Sequence, residues 1–179
     1  IWNTYSNGES GTGDQWDTAN SQGYYKLTYQ QLNATPVDYF VILSYDYEYD
    51  YSAGEPIQPL KWVGDIISFA KRRFTNVNRI VIGIPSYGYY GVTGGYTITE
   101  QTYNQMTTQP GFSTAMRDPS SGEMTWTNSG NSYDYNDSVS LDIKRKYIEN
   151  LGITHISVWS LGGNQWFTSP NKQLGHIEP

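Results

Sequence analysis

Three short apolar runs punctuate the chain, and each has the length of a strand. They cover residues 37–45, 79–85 and 153–161 and are rich in β-branched and aromatic side chains. The first two are apolar almost without interruption, which is typical of strands that are covered on both faces, as in a parallel sheet. The pattern therefore predicts three strands, of which at least two are buried.

Between these runs the apolar spacing changes to the 3.6-residue period of a helix. One helix is predicted over residues 60–74, with a basic run at 71–73 where cations suit the carbonyl end of the helix dipole. A second is predicted from Val139 to Leu151, with Asp137 or Ser138 as its N-cap and Gly152 as its stop signal. A shorter helix is expected over residues 24–33.

Two segments break this alternation. Residues 88–137 are rich in Gly, Thr and Tyr and alternate between polar and apolar positions at 123–127 and 132–135, which predicts inserted hairpins. Residues 46–55 are polar and rich in tyrosine, and we expect them to form a loop.

The order of elements divides the chain into five expected segments. They are a loop-rich segment with a short helix (1–36), a strand–helix–strand unit (37–87), an inserted α+β subdomain (88–137), a last helix and strand (138–166), and a C-terminal tail (167–179). Alternating strands and helices predict parallel strands with right-handed crossovers. Three strands cannot close a (β/α)8 barrel, which takes about 250 residues. The pattern fits either a small open α/β sheet or the last part of such a barrel.

Composition narrows the function classes. The chain has 17 Tyr, 6 Trp and 5 Phe, only 16% charged residues and a formal net charge of −6, which argues against nucleic-acid binding. The basic runs at 71–73 and 144–146 are expected on solvated helix faces. The absence of cysteine excludes disulfides, thiolate metal sites and a cysteine nucleophile. No apolar run reaches the ~20 residues of a membrane span.

The histidines give no sign of a metal site. His155 falls within a predicted strand and His176 in the tail, and neither has a second ligand at metal spacing. We expect structural roles for both, and no metal or cofactor. A chain that begins at Ile1 is expected to be a mature or trimmed product. Its richness in Tyr, Asn, Gly, Ser and Thr favours a secreted or cell-surface location.

Four segments, taken together, resemble the family 18 glycoside hydrolases, which include chitinases and chitinase-like proteins. The segments are residues 38–47, 83–89, 135–144 and 156–163. The resemblance covers about residues 36–166 and implies the sixth strand, seventh strand, eighth helix and eighth strand of a TIM barrel, in that order. The Pro-x-Tyr-Gly-Tyr segment at 85–89 is similar to members that act on bacterial cell-wall sugars.

The resemblance also implies roles for particular residues. Tyr45 matches the tyrosine that holds the N-acetyl group of the sugar, and Asp46 matches the neighbouring aspartate that touches this sugar and the next one. Trp159 matches the tryptophan floor under the reacting sugar, and Tyr87 an aromatic residue at the end of the seventh strand. Position 89 is often arginine in chitinases proper and is tyrosine here. Barrel enzymes build their sites at the carboxyl ends of their strands, and the predicted strands place four residues there: Tyr45, Asp46, Tyr87 and Trp159.

The general acid implied by the resemblance is not found. Family members use the substrate's own N-acetyl oxygen as nucleophile, and a glutamate in an Asp-x-x-Asp-x-Asp-x-Glu run protonates the leaving oxygen. The nearest approach in this sequence, residues 13–17, lacks the following Asp-x-Glu, and Glu48 and Glu55 fall after the sixth strand instead. We therefore expect strands one to five, and the acid, to be absent from this chain.

Two functions remain open. The chain is expected to be part of a glycosidase acting on β-1,4-linked N-acetylglucosamine glycans, either chitin or peptidoglycan, with this chain supplying sugar-binding residues and not the acid. The alternative is a non-catalytic carbohydrate-binding or structural protein. Either way, we expect the first half of the barrel or a partner chain to cover the sheet edges, because three strands with two bare edges make a poor stable unit. The alternative to a barrel fragment is a small self-contained α/β protein.

Overall fold

The computed structural model describes residues 29–168, which form a mixed α/β structure with two sheets. The strands are β1 Phe40–Ile42, β2 Ile80–Pro85, β3 Gly88–Val92, β4 Ile98–Gln101, β5 Met116–Arg117, β6 Met124–Asn128, β7 Asn131–Tyr135 and β8 His155–Trp159. The helices are α1 Tyr29–Asn33, α2 Tyr47–Tyr51, α3 Leu60–Arg73, α4 Tyr103–Met106 and α5 Ser138–Asn150. The first part of the helix predicted over 24–33, the run at 13–17 and His176 lie outside the described residues.

The first sheet is parallel and has the order β1-β2-β8. A strand forms within each of the three predicted apolar runs, although each is shorter than its run. All six residues of β2 are buried, because this strand lies between the other two and is covered on both faces. In the register of the sheet, Pro85 lies beside Trp159, so the carboxyl ends of β2 and β8 are level.

Helices α3 and α5 supply the apolar cover of this sheet. Helix α3 buries six residues: Trp62, Val63, Ile66, Ile67, Phe69 and Ala70. They join Ile80, Ile82 and Ile84 of β2 in one core cluster. Helix α5 begins at a capping box in which the Asp137 carboxylate accepts the Ser140 backbone N–H at 2.7 Å, which confirms Asp137 as the N-cap.

The second sheet is antiparallel, with the order β4-β3-β7-β6-β5. One of its faces carries its own aromatic core, in which Trp126 stacks on Tyr133 with ring centroids 4.5 Å apart. On the other face Tyr89, Asp134 and Thr125 lie side by side across β3, β7 and β6. This second face turns toward the segment 46–58 that follows β1, since Gly54 packs against Ser132 of β7.

Two expectations were wrong. Part of the expected loop 46–55 is helix α2. The rings of Tyr47 and Tyr51 stack with centroids 4.1 Å apart, and Tyr47 packs on Trp62 of helix α3. The periodicity of the sequence does not show such a tertiary contact. Lys144 was expected on a solvated face with its basic neighbours, yet it is only 1% exposed. Its ammonium forms an ion pair with the equally buried Glu123, which the second sheet brings over helix α5. Among residues 29–168, no helix is long and apolar enough to cross a membrane.

Candidate functional site

The carboxyl end of the parallel sheet brings together most of the predicted site residues. Tyr45 and Asp46 follow β1, Tyr87 follows β2, and Trp159 is the last residue of β8. The Ser86 backbone N–H donates to the Trp159 carbonyl at 2.7 Å, and its hydroxyl donates to the Ser160 carbonyl at 2.8 Å, which ties the ends of β2 and β8 together. The three strands therefore present these side chains at the carboxyl end of the sheet.

Asp46 is fixed by two tyrosine hydroxyls. Tyr89 donates to Asp46 Oδ1 at 2.7 Å, and Tyr87 donates to the same oxygen. Both tyrosines are buried, at 5% and 1% exposure. Burial, together with the Asp46 carboxylate, raises the pKa of both hydroxyls, so that they remain protonated donors at neutral pH. Asp46 Oδ2 makes no hydrogen bond to any described residue, which leaves it available to a ligand.

The backbone at Asp46 adds to this placement. Its φ of 68° lies in the left-handed region, which aspartate tolerates better than most residues. The unusual turn aims the carboxylate at Tyr87 and Tyr89 and starts helix α2 immediately afterwards. Sequence reasoning missed Tyr89 as a partner of Asp46, although the i, i+2 spacing of Tyr87 and Tyr89 was a usable signal, because alternate residues of an extended chain point the same way.

Tyr45 packs its ring against the backbone of β2. The ring meets Tyr87 edge to face, with centroids 6.3 Å apart, and lies over Gly83. Burial and the neighbouring Asp46 raise the pKa of Tyr45 to about 12, so its hydroxyl stays protonated at neutral pH. That hydroxyl makes no hydrogen bond to a described residue and can donate to a bound group.

Gly83 is the position on β2 that makes room for Tyr45. A Cβ at residue 83 would lie 2.7 Å from a ring carbon of Tyr45 and 3.1 Å from the Ile42 carbonyl oxygen. We therefore expect Gly83→Ala to displace the tyrosine and to lower the free energy of unfolding by about 1–3 kcal/mol in urea denaturation. In a Tyr45→Ala background the same substitution should cost clearly less, because the ring is gone. An equal cost in both backgrounds would contradict this packing.

Trp159 is unusually open for a large aromatic side chain. It is 56% exposed, whereas most tryptophans are largely covered. The carboxyl end of β8 therefore offers a flat apolar ring to the solvent, next to Ser86, which follows β2.

Two more carboxyl groups lie near Asp46. Partial burial, with the Asp46 charge, raises the pKa of Asp50 and of Glu100 above their ordinary values. Glu100 pairs with Tyr89 across β3 and β4. Over the described part of the chain, no group of three or more histidine, cysteine, aspartate or glutamate side chains is arranged to hold a metal ion.

Comparisons with known proteins bear on the fold. No protein-family model matches the chain, and no curated protein sequence matches it significantly. Among solved structures, the spore cortex-lytic enzyme SleL of Bacillus cereus matches with a TM-score of 0.66 and 18% identity, over 79% of this chain and 35% of that one. A class V chitinase variant from Nicotiana tobaccum, solved in complex with NAG4, matches with a TM-score of 0.63 and 19% identity, over 76% of this chain and 47% of that one.

A family 18 N-acetylglucosaminidase from Paenibacillus barengoltzii also matches, with a TM-score of 0.60 and 13% identity. The aligned region is 72% of this chain and 45% of that protein. The chain thus spans between about a third and a half of the length of these three structures. Residues 29–168 therefore have the fold of part of these chitinase-like structures.

Proposed function

We propose that this chain binds β-1,4-linked N-acetylglucosamine glycans, of the chitin or peptidoglycan type, as part of a glycoside hydrolase. The observation that carries the proposal is the exposed Trp159 ring at the same sheet edge as Tyr45 and Asp46. A sugar ring has a flat face of C–H groups and a rim of polar groups. An open aromatic ring, at the same end of the sheet as polar groups that have no partner among residues 29–168, matches both features.

Each residue has a distinct part in the proposed complex. Trp159 stacks under a sugar ring, the Tyr45 hydroxyl donates to the carbonyl of an N-acetyl group, and Asp46 Oδ2 accepts from the amide N–H or a hydroxyl. Tyr87 was expected to touch the sugar, but a side chain that is 1% exposed offers little surface to a ligand. We therefore assign Tyr87, together with Tyr89, to holding Asp46 in place.

The proposed reaction is substrate-assisted acid catalysis in a larger assembly. In this view β1, β2 and β8 correspond to the sixth, seventh and eighth strands of a TIM barrel, and residues 88–137 are a subdomain inserted after the seventh. The first half of the barrel, or a partner chain, covers the outer edges of β1 and β8 and supplies the general acid. Support comes from the sequence, which contains no Asp-x-x-Asp-x-Asp-x-Glu segment, and from the partial coverage of the chitinase-like structures.

Trp159→Ala tests the proposal, and Trp166→Ala is its matched control. Trp166 is similarly exposed, at 48%, but its ring packs on Phe167, which contacts Arg145 of helix α5. We expect Trp159→Ala to weaken binding of tetra-N-acetylchitotetraose by about thirtyfold, or about 2 kcal/mol, in isothermal titration calorimetry. Trp166→Ala should stay within about twofold of the parent chain. Equal losses in both variants would reject the stacking role.

A non-catalytic carbohydrate-binding protein is the second candidate, and the absence of the acid motif from this sequence favours it. Hydrolysis of a chromogenic chitobioside by the 179-residue chain distinguishes the cases. Binding without turnover is expected both of a glycosidase part that lacks its acid and of a pure binding protein. Adding a protein that supplies the first half of the barrel then distinguishes them, because only the glycosidase part should gain activity. Turnover by the chain itself would refute the claim that the acid comes from elsewhere.

We further propose that the parent protein works outside the cytoplasm, at the cell wall or cell surface. The name of the Bacillus cereus match, a spore cortex-lytic enzyme, supports this location, as does the abundance of Tyr, Asn, Gly, Ser and Thr.

A further inference from the structure

Two buried carboxyl groups connect the segment after β1 to the second sheet. Glu48, on helix α2, is 0% exposed, and Asp134, on β7, is 3% exposed. Each has one oxygen, Glu48 Oε2 and Asp134 Oδ2, that is buried and has no hydrogen-bond partner in the described part of the chain. An ionised carboxylate in such a place costs several kcal/mol, so these oxygens require either a partner or a proton.

Both carboxyl groups are in the neighbourhood of Gly54. The Gly54 backbone N–H donates to Glu48 Oε1 at 2.9 Å, and a Cβ at Gly54 would lie 2.8 Å from the hydroxyl of Ser132, two residues before Asp134 on β7. Gly54 and Asp134 also line one cavity of about 420 Å³. This cavity gives water a route to the neighbourhood of the pair.

We propose that Glu48 and Asp134 share a proton, and that this carboxyl pair fastens the segment carrying Tyr45 and Asp46 to the second sheet. A hydroxyl on one carboxyl group donates to the unpartnered oxygen of the other, which satisfies both. Helix α2 places Glu48 two residues after Asp46, so the pair fixes the position of the site. The link to sugar binding rests on the proposed function, whereas the shared proton does not.

The surroundings favour the protonated form. Burial, followed by the charge of Asp134, raises the pKa of Glu48 to about 9. Burial and the charge of Glu123 raise the pKa of Asp134 well above its ordinary value. The other charged groups that act on the pair are also acidic, namely Glu55 and Asp118. Two cations are nearby: Lys144 pairs with Glu123, and Arg117, which lines the same cavity as Asp134, pairs with Asp137.

The pair makes the site sensitive to alkaline pH. A folded-state pKa near 9, against an ordinary value near 4.5, means that the folded chain holds a proton that the unfolded chain releases. The stabilisation is complete below about pH 4.5 and falls as the pH rises, by at most about 1.4 kcal/mol per pH unit for one proton. Above pH 9 two adjacent anions repel, which loosens the segment that holds Asp46.

Glu48→Gln tests the pair, because the amide keeps the shape and donates a hydrogen bond at every pH. In ¹³C NMR of the side-chain carboxyl carbons at pH 7, we expect the parent chain to show a protonated signal that titrates near pH 9. The Glu48 signal should be absent from Glu48→Gln, and in Asp134→Asn its pKa should fall below 9, because the charge of Asp134 is gone while the burial of Glu48 remains. Two ionised carboxylates at pH 7 in the parent chain would overturn the proposal.

Sugar binding supplies the second readout. Between pH 7 and pH 10 the parent chain should lose at least fivefold in affinity for tetra-N-acetylchitotetraose, whereas Glu48→Gln should change by less than twofold. The same alkaline loss in both proteins would overturn the positioning role. If the parent chain binds no sugar at any pH, the proposed function fails, and the NMR titration alone then decides whether the proton is shared.

Discussion

Replacing Lys144 by alanine is expected to lower the free energy of unfolding by about 3–5 kcal/mol, the usual cost of leaving one member of a buried ion pair without its partner. Lys144 and Glu123 are each 1% exposed at the side chain. The two Glu123 oxygens also accept the backbone N–H groups of Ile57 and Gln58, at 2.8 and 2.9 Å. The pair therefore joins the second sheet, helix α5 and the segment before helix α3.

Urea denaturation of Lys144→Ala measures this cost, and Lys146→Ala is the control. Lys146 lies on the same helix but is exposed, so its removal should change stability by less than about 0.5 kcal/mol. Replacing both members of the pair by neutral residues, as in Lys144→Met with Glu123→Gln, should recover part of the loss, because no charge is then buried alone and the amide oxygen can still accept a backbone N–H. A loss below about 1 kcal/mol in Lys144→Ala would contradict the buried ion pair.

Asp46→Ala is expected to destabilise the chain by about 2–5 kcal/mol. The substitution leaves the buried Tyr87 hydroxyl without its acceptor, which costs about 1–3 kcal/mol. It also places alanine at a φ of 68°, which adds about 1–2 kcal/mol. Tyr89 is slightly more exposed than Tyr87, so its hydroxyl should lose less.

Asp46→Asn is the matched control for this prediction. Asparagine tolerates the same backbone conformation and keeps an oxygen that accepts from Tyr87 and Tyr89. We expect it to retain most of the stability in urea denaturation while removing the negative charge. If Asp46→Asn is as unstable as Asp46→Ala, the charge of Asp46 rather than its acceptor oxygen and backbone conformation holds this part of the structure.

The sequence was most informative where one local rule decides the structure. A buried parallel strand must be apolar throughout, so the run at 79–85 could be identified without knowing its neighbours. Asp137 could be identified as an N-cap because a cap depends on the three residues that follow it. Trp159 could be placed near a strand end because its apolar run leads directly into Gly162 and Gly163.

Long-range partners could not be identified in this way. Lys144 looks like its exposed neighbour Lys146, and its burial depends on Glu123, which lies 21 residues earlier, directly before strand β6. Glu48 lies in a polar, tyrosine-rich segment that resembles a loop, yet it is fully buried. Charge patterns along a chain do not show that either side chain is buried, because burial depends on residues that are distant in the sequence.

We propose above that Tyr45, Asp46 and Trp159, at the carboxyl end of the parallel sheet, recognise N-acetylated sugars. Calorimetric titration of the 179-residue chain with tetra-N-acetylchitotetraose, compared with cellotetraose, tests it most directly, because both share the β-1,4 backbone and only the first has N-acetyl groups. We expect saturable binding at one site, at least tenfold tighter for the N-acetylated sugar, or about 1.4 kcal/mol. Equal affinity for the two sugars, or no binding of either, would contradict it.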